Sequence, residues 1–90
     1  MADVLRGRVS RVIDGDTFEI SNVTANSSSG NRYRTMEIIR IADIDAPELN
    51  TGAERRSKEA LERRLLGRIV ACVVSSRDTY GRVVASVRVE

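Results

Sequence analysis

The stretch TGAERRSKEALERRLLG, residues 51–67, decides the fold, because it has a helical period and lies between runs of strand-forming residues. Thr51 and Glu54 match a capping box, in which the two side chains satisfy free amides at the start of a helix. Ala and Leu then recur at helical spacing, and Gly67 suits the C-terminal cap. The sequence therefore predicts an amphipathic helix over 52–66.

Five strands are predicted around this helix, three before it and two after it. They are rich in β-branched residues and cover 4–13, 17–20, 36–44, 68–76 and 82–90. An Asp-Gly pair predicts a turn after the first strand. The loose alternation in that strand puts Val9, Arg11 and Ile13 on one face. The polar residues 21–35 predict a long hairpin loop, and the near-continuous apolar character of the third strand predicts burial on both faces.

This order of elements favours a mainly β fold. Three strands, a helix and two strands fit a five-stranded OB-fold Greek-key barrel, with the helix between strands three and four closing one end. An α+β meander with an open sheet is the alternative. Residues 1–90 are expected to form a single domain, and with only three aromatic residues the core must be aliphatic.

The composition excludes several classes of chemistry. The chain has no histidine and one cysteine, Cys72, so histidine bases, zinc patterns and disulfides are ruled out. The net charge of +2 is compatible with a polyanionic partner without being diagnostic. No apolar run approaches the roughly 20 residues that span a bilayer, and the start carries no secretion signal. A cytoplasmic location is favoured, with a mature secreted domain as the alternative.

Carboxylates are concentrated after the first and third predicted strands. Asp14 and Asp16 follow the first, and Asp43, Asp45 and Glu48 follow the third. Strand ends can converge in a barrel, and such hard oxygen ligands suit Ca²⁺ or Mg²⁺. Each cluster alone is more often a solvated turn.

Two arginines could act with these acids. Arg40 lies inside an apolar run, where an unpaired guanidinium is costly, and Arg82 follows a turn glycine. Guanidinium groups bind phosphate oxygens in bidentate fashion, so the pair could stabilise a phosphoryl-transfer transition state. The alternative, which spacing alone favours, is a structural salt bridge from Arg40 to Asp43 or Asp45 and a merely exposed Arg82.

Four motifs in order, VIDGDTFEI, IRIADIDAPE, EALERRLLG and RDTYGRVVA, resemble those of the staphylococcal nuclease (thermonuclease) family. The resemblance covers about residues 8–89. It implies an OB-fold phosphodiesterase that uses one Ca²⁺ ion and cleaves DNA and RNA at the 5′ P–O bond, leaving 3′-phosphate ends. Family members usually continue past the fifth strand, so this chain would be shorter than they are at the C-terminus.

The resemblance also implies roles for individual residues. The calcium ligands would be the carboxylates of Asp16 and Asp45 and the backbone carbonyl of Ala46. The catalytic residues would be Glu48, which orients or deprotonates the attacking water, Arg40, which grips the phosphate, and Arg82, which stabilises the transition state and assists the leaving group. Supporting positions would be Asp14, Thr17 and Tyr80. Asp43 has no counterpart and is expected to be a surface acid.

The expected partner is single-stranded DNA or RNA, with no membrane involved and the chain acting as a monomer. A catalytically weak or inactive module that binds nucleic acid or protein is the alternative, as in the repeats of Tudor–nuclease proteins. Those repeats typically lose the metal and arginine residues, which are all present here. A non-hydrolytic OB domain is the third possibility, although it would usually stack bases on more aromatics than this chain has.

Overall fold

The computed structural model describes residues 2–27, 30–42 and 52–90, which form five strands and one helix. These are β1 (Val4–Asp14), β2 (Thr17–Asn26), β3 (Met36–Ile41), α1 (Gly52–Leu65), β4 (Ile69–Arg77) and β5 (Val83–Val89). The strands close into a barrel in the order β1-β2-β3-β5-β4, in which β3 and β5 run parallel. This confirms the five-stranded OB-type barrel with its helix between β3 and β4, and it excludes the open sheet.

Bulges in β1 change which residues face the core. Val9 pairs with Ile20 and Arg11 with Glu19, so Ser10 is an extra residue on β1. An extra residue shifts the alternation by one position, and Val9 and Val12 are therefore both buried. The predicted face of Val9, Arg11 and Ile13 is wrong, since Arg11 and Ile13 are exposed.

β2 is longer than the sequence predicts. Residues 21–26 were expected to belong to a loop, but they pair with β1 as far as the Val4–Asn26 pair. Their polar side chains are compatible with a strand because most of them face solvent. Asn22 has a φ of 53° at a register shift of this ladder, a backbone conformation that Asn tolerates better than most residues. The irregular connection therefore covers only the later part of 21–35.

β3 is buried on one face rather than on both. Ile39 and Ile41 face the core together with Glu37, whereas Met36 is 51% exposed and Arg40 is partly exposed. The sequence did not indicate this alternation, because Met36 and Ile38 are apolar but lie on the outer face. Residues 43 and 44, predicted to continue the strand, lie outside the described residues.

α1 covers the core through two leucines, Leu61 and Leu65, which are both buried. Gly67 has a φ of 81° and donates its amide to the Val9 carbonyl at 2.9 Å, which confirms the predicted cap and ties the helix end to β1. Thr51 of the predicted capping box lies outside the described residues. No helix in the described part of the chain is long and apolar enough to cross a membrane.

The core is aliphatic apart from one aromatic ring, that of Phe18. The buried apolar cluster consists of Leu5, Val9, Val12, Phe18, Ile20, Ile39, Ile41, Leu61, Leu65, Val70, Cys72, Val83 and Ala85. Burial raises the pKa of the Cys72 thiol to about 12, so the thiol stays protonated and acts as a small hydrophobic group.

Gly7→Ala is expected to destabilise the barrel. A Cβ at this buried position would lie 2.9 Å from the Ser21 carbonyl oxygen and 3.1 Å from the Ile20 Cβ, so the backbone of β2 would have to move. Overpacking of this kind costs about 1–3 kcal/mol, measurable as a lower urea midpoint at an unchanged m-value. Ser86→Ala, on the exposed side of β5, is the control and should change the midpoint little. Unchanged stability of Gly7→Ala would contradict the tight approach of the two strands.

Candidate active site

The turn between β1 and β2 holds two acids at one end of the barrel. Asp16 is only 8% exposed, and its Oδ1 accepts a hydrogen bond from the Thr17 hydroxyl at 2.8 Å. The Asp16 amide donates to Asp14 Oδ1 at 3.2 Å, and the Asp16 carbonyl accepts from the Ile41 amide at 2.8 Å. The last bond joins the turn to the end of β3, so Asp16 is fixed beside the strand that carries Arg40.

Arg40 is tolerated in β3 because its side chain leaves the core and meets a carboxylate. It pairs in register with Thr17 of β2, and its Nη2 lies 3.6 Å from Asp16 Oδ2. Both side chains are mostly buried, so this pair is screened less than a surface pair would be. The described partner of Arg40 is thus Asp16; Asp43 and Asp45, suggested as partners by the sequence, lie outside the described residues.

The two acids of the turn are unfavourable to each other. Burial raises the pKa of the Asp14 carboxyl, and the side chain and negative charge of Asp16 raise it further, whereas the hydrogen bond from the Asp16 amide lowers it. A hard dication would remove this repulsion, and carboxylate oxygens are the donors that Ca²⁺ prefers. The chemistry of Asp14 and Asp16 therefore fits a calcium ion.

Only part of the predicted metal site can be placed. Asp45, Ala46 and Glu48 lie outside the described residues. Across 2–27, 30–42 and 52–90, no three acidic or cysteine side chains are grouped closely enough to hold a metal. Of the predicted ligands, Asp16 alone lies in the described residues, and Asp14, predicted as a supporting residue, lies beside it.

Arg82 is held by the turn between β4 and β5. Asp78 accepts hydrogen bonds from the backbone amides of Tyr80 and Arg82, at 3.0 and 2.9 Å, and from Arg82 Nε at 2.6 Å. The guanidinium carbon of Arg82 lies 5.4 Å from the centre of the Tyr80 ring. The alternative of a merely exposed Arg82 is therefore wrong, since its side chain is paired and about two-thirds buried.

Arg40 and Arg82 lie on the same surface of the barrel. The parallel register pairs Ile39 with Val83 and Arg40 with Val84. Ile39 and Val83 point into the core, so Arg40 and the residue that directly precedes Val83 both belong to the outer face. The pairing of β3 with β5 thereby places Arg82, the residue before β5, next to the strand that carries Arg40.

An ion pair that the sequence did not predict supports Arg82. Glu37 is 4% exposed, and its two carboxylate oxygens each accept a hydrogen bond from Arg77 at 3.2 Å. Arg77 Nη1 also donates to the Gly81 carbonyl at 2.8 Å, so it joins β3 to the turn that ends at Arg82. The available signal was Glu37 itself, an acid at a core-facing position that requires a cation.

Asp78 is expected to titrate below its ordinary pKa of 3.8. Desolvation raises this pKa, but the hydrogen bonds and charge of Arg82 and the amide of Tyr80 outweigh it. The resulting stability is complete above the ordinary value and is lost as the pH falls through the folded-state pKa, since the unfolded chain then binds more protons. NMR titration of the side-chain carboxyl carbons measures the pKa of Asp78 directly.

Arg82→Ala should raise the pKa of Asp78 towards 3.8 without shifting that of Asp14, which serves as the internal control. An unchanged Asp78 titration in this variant would show that the ion pair seen in the structure does not form in solution.

Comparison with known proteins agrees with this geometry. The family described as Staphylococcal nuclease homologue matches residues 38–90. An uncharacterized endonuclease of Escherichia coli is 34% identical over 92% of this chain, and protein ParB of Escherichia coli is 34% identical over the same share. The probable endonuclease LCL3 of Uncinocarpus reesii is 38% identical over 94% of it. The chain covers 48%, 41% and 34% of these relatives, or about half of their length at most. The chain belongs to the staphylococcal nuclease family.

Proposed function

We propose that this chain is a Ca²⁺-dependent phosphodiesterase that cleaves single-stranded DNA or RNA at the 5′ P–O bond and leaves 3′-phosphate ends. The observation that carries the proposal is the arrangement of Asp16, Arg40 and Arg82. Asp16 meets Arg40 at 3.6 Å, and Arg82 directly precedes Val83, which pairs with the neighbour of Arg40, Ile39; this supports a common site for one carboxylate and two guanidinium groups. Family membership and the endonuclease names of two relatives support the same reaction class.

The arginines supply the positive charge that phosphodiester hydrolysis needs. Negative charge grows on the phosphate oxygens as water attacks, and donors that are already oriented stabilise it without rearrangement. Asp16 orients Arg40, and Asp78 holds Arg82 through Nε, which leaves the Nη atoms of Arg82 for phosphate oxygens. The ion pairs thus fix the direction of both guanidinium groups before substrate binds.

The remaining roles rest on the family resemblance. Asp16, Asp45 and the Ala46 carbonyl would hold calcium, with Asp14 and Thr17 in support, and Glu48 would direct the attacking water. When bound, calcium would polarise the phosphodiester and offset its charge. Glu48 would place a water in line with the leaving oxygen, which converts an encounter in solution into an oriented reaction.

A binding module without hydrolytic activity is the second candidate. The chain covers only about half of its relatives at most, so residues outside this segment contribute to those proteins. Such a module would retain the arginine surface and bind nucleic acid without turning it over. The two candidates differ in one measurable property, which is metal-dependent cleavage.

Single-stranded DNA or RNA should be cut in the presence of Ca²⁺ and left intact in the presence of EDTA. Cleavage is measured on an end-labelled oligonucleotide, and phosphatase sensitivity of the new 3′ end identifies the product. Asp16→Asn is the matched variant, because it keeps the shape of the side chain and removes the charge of this proposed calcium ligand. Cleavage that persists in EDTA would overturn the metal assignment, and binding without cleavage at any calcium concentration would establish the second candidate.

Arg82→Ala should lower kcat/KM by about 10²–10³-fold, the usual cost of losing one transition-state donor. Its melting temperature should change little, because Asp78 still accepts the backbone amides of Tyr80 and of residue 82. Arg88→Ala is the control, since Arg88 is an exposed arginine of β5. Losses of activity and of melting temperature that match each other would make Arg82 a structural residue instead.

A further inference from the structure

A groove of about 480 Å³ opens beside Arg82, between β3, the β4–β5 turn and the segment before β3. Its lining includes four arginines and one acid, so its formal charge is 4 − 1 = +3; these residues are Arg32, Arg34, Arg77, Arg82 and Glu37. Ile38 and Met36, both on the outer face of β3, form its floor. The groove therefore continues away from the proposed site, in the direction of the connection between β2 and β3.

The segment that carries Arg32 and Arg34 is fixed to the barrel by its alternate residues. Asn31 and the Tyr33 hydroxyl both donate to Asp3 Oδ2, at 3.2 and 2.5 Å. Asp3 is itself 4% exposed, so it is a buried anchor rather than a surface contact. The Tyr33 ring also lies 5.6 Å from the guanidinium carbon of Arg77. Asn31 and Tyr33 thus hold the segment while the residues between and after them line the groove.

Arg32 and Arg34 differ from the other two arginines in their charge balance. Arg77 pairs with Glu37, and Arg82 pairs with Asp78. Both Arg32 and Arg34 are exposed, and in the described ranges neither side chain takes part in an ion pair. The Arg34 backbone amide donates to Glu37 Oε2 at 2.9 Å, which fixes its main chain and leaves the guanidinium directed elsewhere. Two cations on a segment that is hydrogen-bonded to the barrel, with no carboxylate partner among the described residues, therefore line the groove.

We propose that this groove is an extended substrate site, in which Arg32 and Arg34 bind phosphates of a single strand that also contacts Arg82. The proposal rests on the proposed function for the identity of the ligand and adds residues that position it away from the scissile bond. Guanidinium groups bind phosphate oxygens in bidentate fashion, and a groove of this charge attracts a polyanion. Arg32 and Arg34 act as positioning residues.

Tyr80 favours a single strand over a duplex as the occupant. The ring lines the groove and is 84% exposed, although Arg82 lies against it. An exposed aromatic ring beside a cationic channel is the usual platform on which an unpaired base stacks. Bases in a duplex are already stacked on each other and do not reach such a ring.

The test measures the affinity of the protein for fluorescein-labelled oligothymidylates of two and eight nucleotides. Binding is monitored by fluorescence anisotropy, in EDTA so that no strand is cut. Wild-type protein should bind the octamer more tightly than the dimer. Arg32→Ala/Arg34→Ala should remove most of that advantage and reduce the slope of log K against log salt by about 1.4, or about 0.7 for each phosphate that is no longer bound. Arg32→Lys/Arg34→Lys should restore the slope.

Arg63→Ala/Arg64→Ala is the matched control. It removes the same charge as the first double variant, but these exposed arginines of α1 do not line the groove. Equal effects of the two double variants, no effect of the first, or tighter binding of an eight-base-pair duplex than of the octamer would each overturn the proposal. The readout needs no calcium or cleavage. Groove-dependent binding by a protein that never cuts would therefore support the groove and refute the proposed hydrolysis.

Discussion

β3 and β5 run parallel, and their pairing forms only because α1 and β4 carry the chain around the barrel between them. This non-local contact sets which residues meet on the outer face. Arg40 and Arg82 come from distant parts of the sequence, yet the register of β3 with β5 places the residue before β5, Arg82, next to the strand of Arg40. The same pairing buries Ile39 against Val83, so the packing that closes the core also determines the geometry of the charged surface.

The arginines near this surface are oriented by different carboxylates. Asp16 meets Arg40, Asp78 meets Arg82, and Glu37 meets Arg77. Each of these pairs fixes the direction of one guanidinium group. In the pair of Glu37 and Arg77 the carboxylate is buried at a core-facing position, so the loss of its cation would leave a charge in the core. That pair therefore both stabilises the barrel and holds the turn that presents Arg82.

The sequence predicted the parts of the fold that depend on local pattern. The helix period, the glycine cap and the order of strands were sufficient to predict the barrel with α1 between β3 and β4. The face of β1 was predicted wrongly, because bulges depend on how two strands fit together rather than on either sequence alone. The extension of β2 was missed for a related reason, since its polar residues form a strand only by pairing with β1.

The residues of the candidate site could likewise be predicted only where they lie in a local motif. Asp16, Arg40 and Arg82 were predicted because each lies in a short motif that resembles a known family; the structure pairs Asp16 with Arg40, and Arg82 directly precedes the strand that pairs with β3. Arg77 lies within such a motif, but its role could not be seen, because its partner Glu37 is forty residues away on another strand. Arg32 and Arg34 lie in none of these motifs. They line one groove because Asn31 and Tyr33 hold their segment against Asp3, a contact that only the structure shows.

Asp14, at the end of β1, and Asp78, in the β4–β5 turn, have pKa values shifted in opposite directions. Burial and the neighbouring acid raise the pKa of Asp14, whereas the hydrogen bonds from Arg82 and Tyr80 lower the pKa of Asp78. The same side chain is therefore disfavoured as an anion at the β1–β2 turn and favoured as an anion at the β4–β5 turn. A positive charge near Asp14 would offset the effect of Asp16, and an anion would suit the groove, where Arg32 and Arg34 meet no carboxylate of the described residues. In the proposed function, a metal ion and a phosphodiester strand meet these two requirements together, with Arg40 and Arg82 between them.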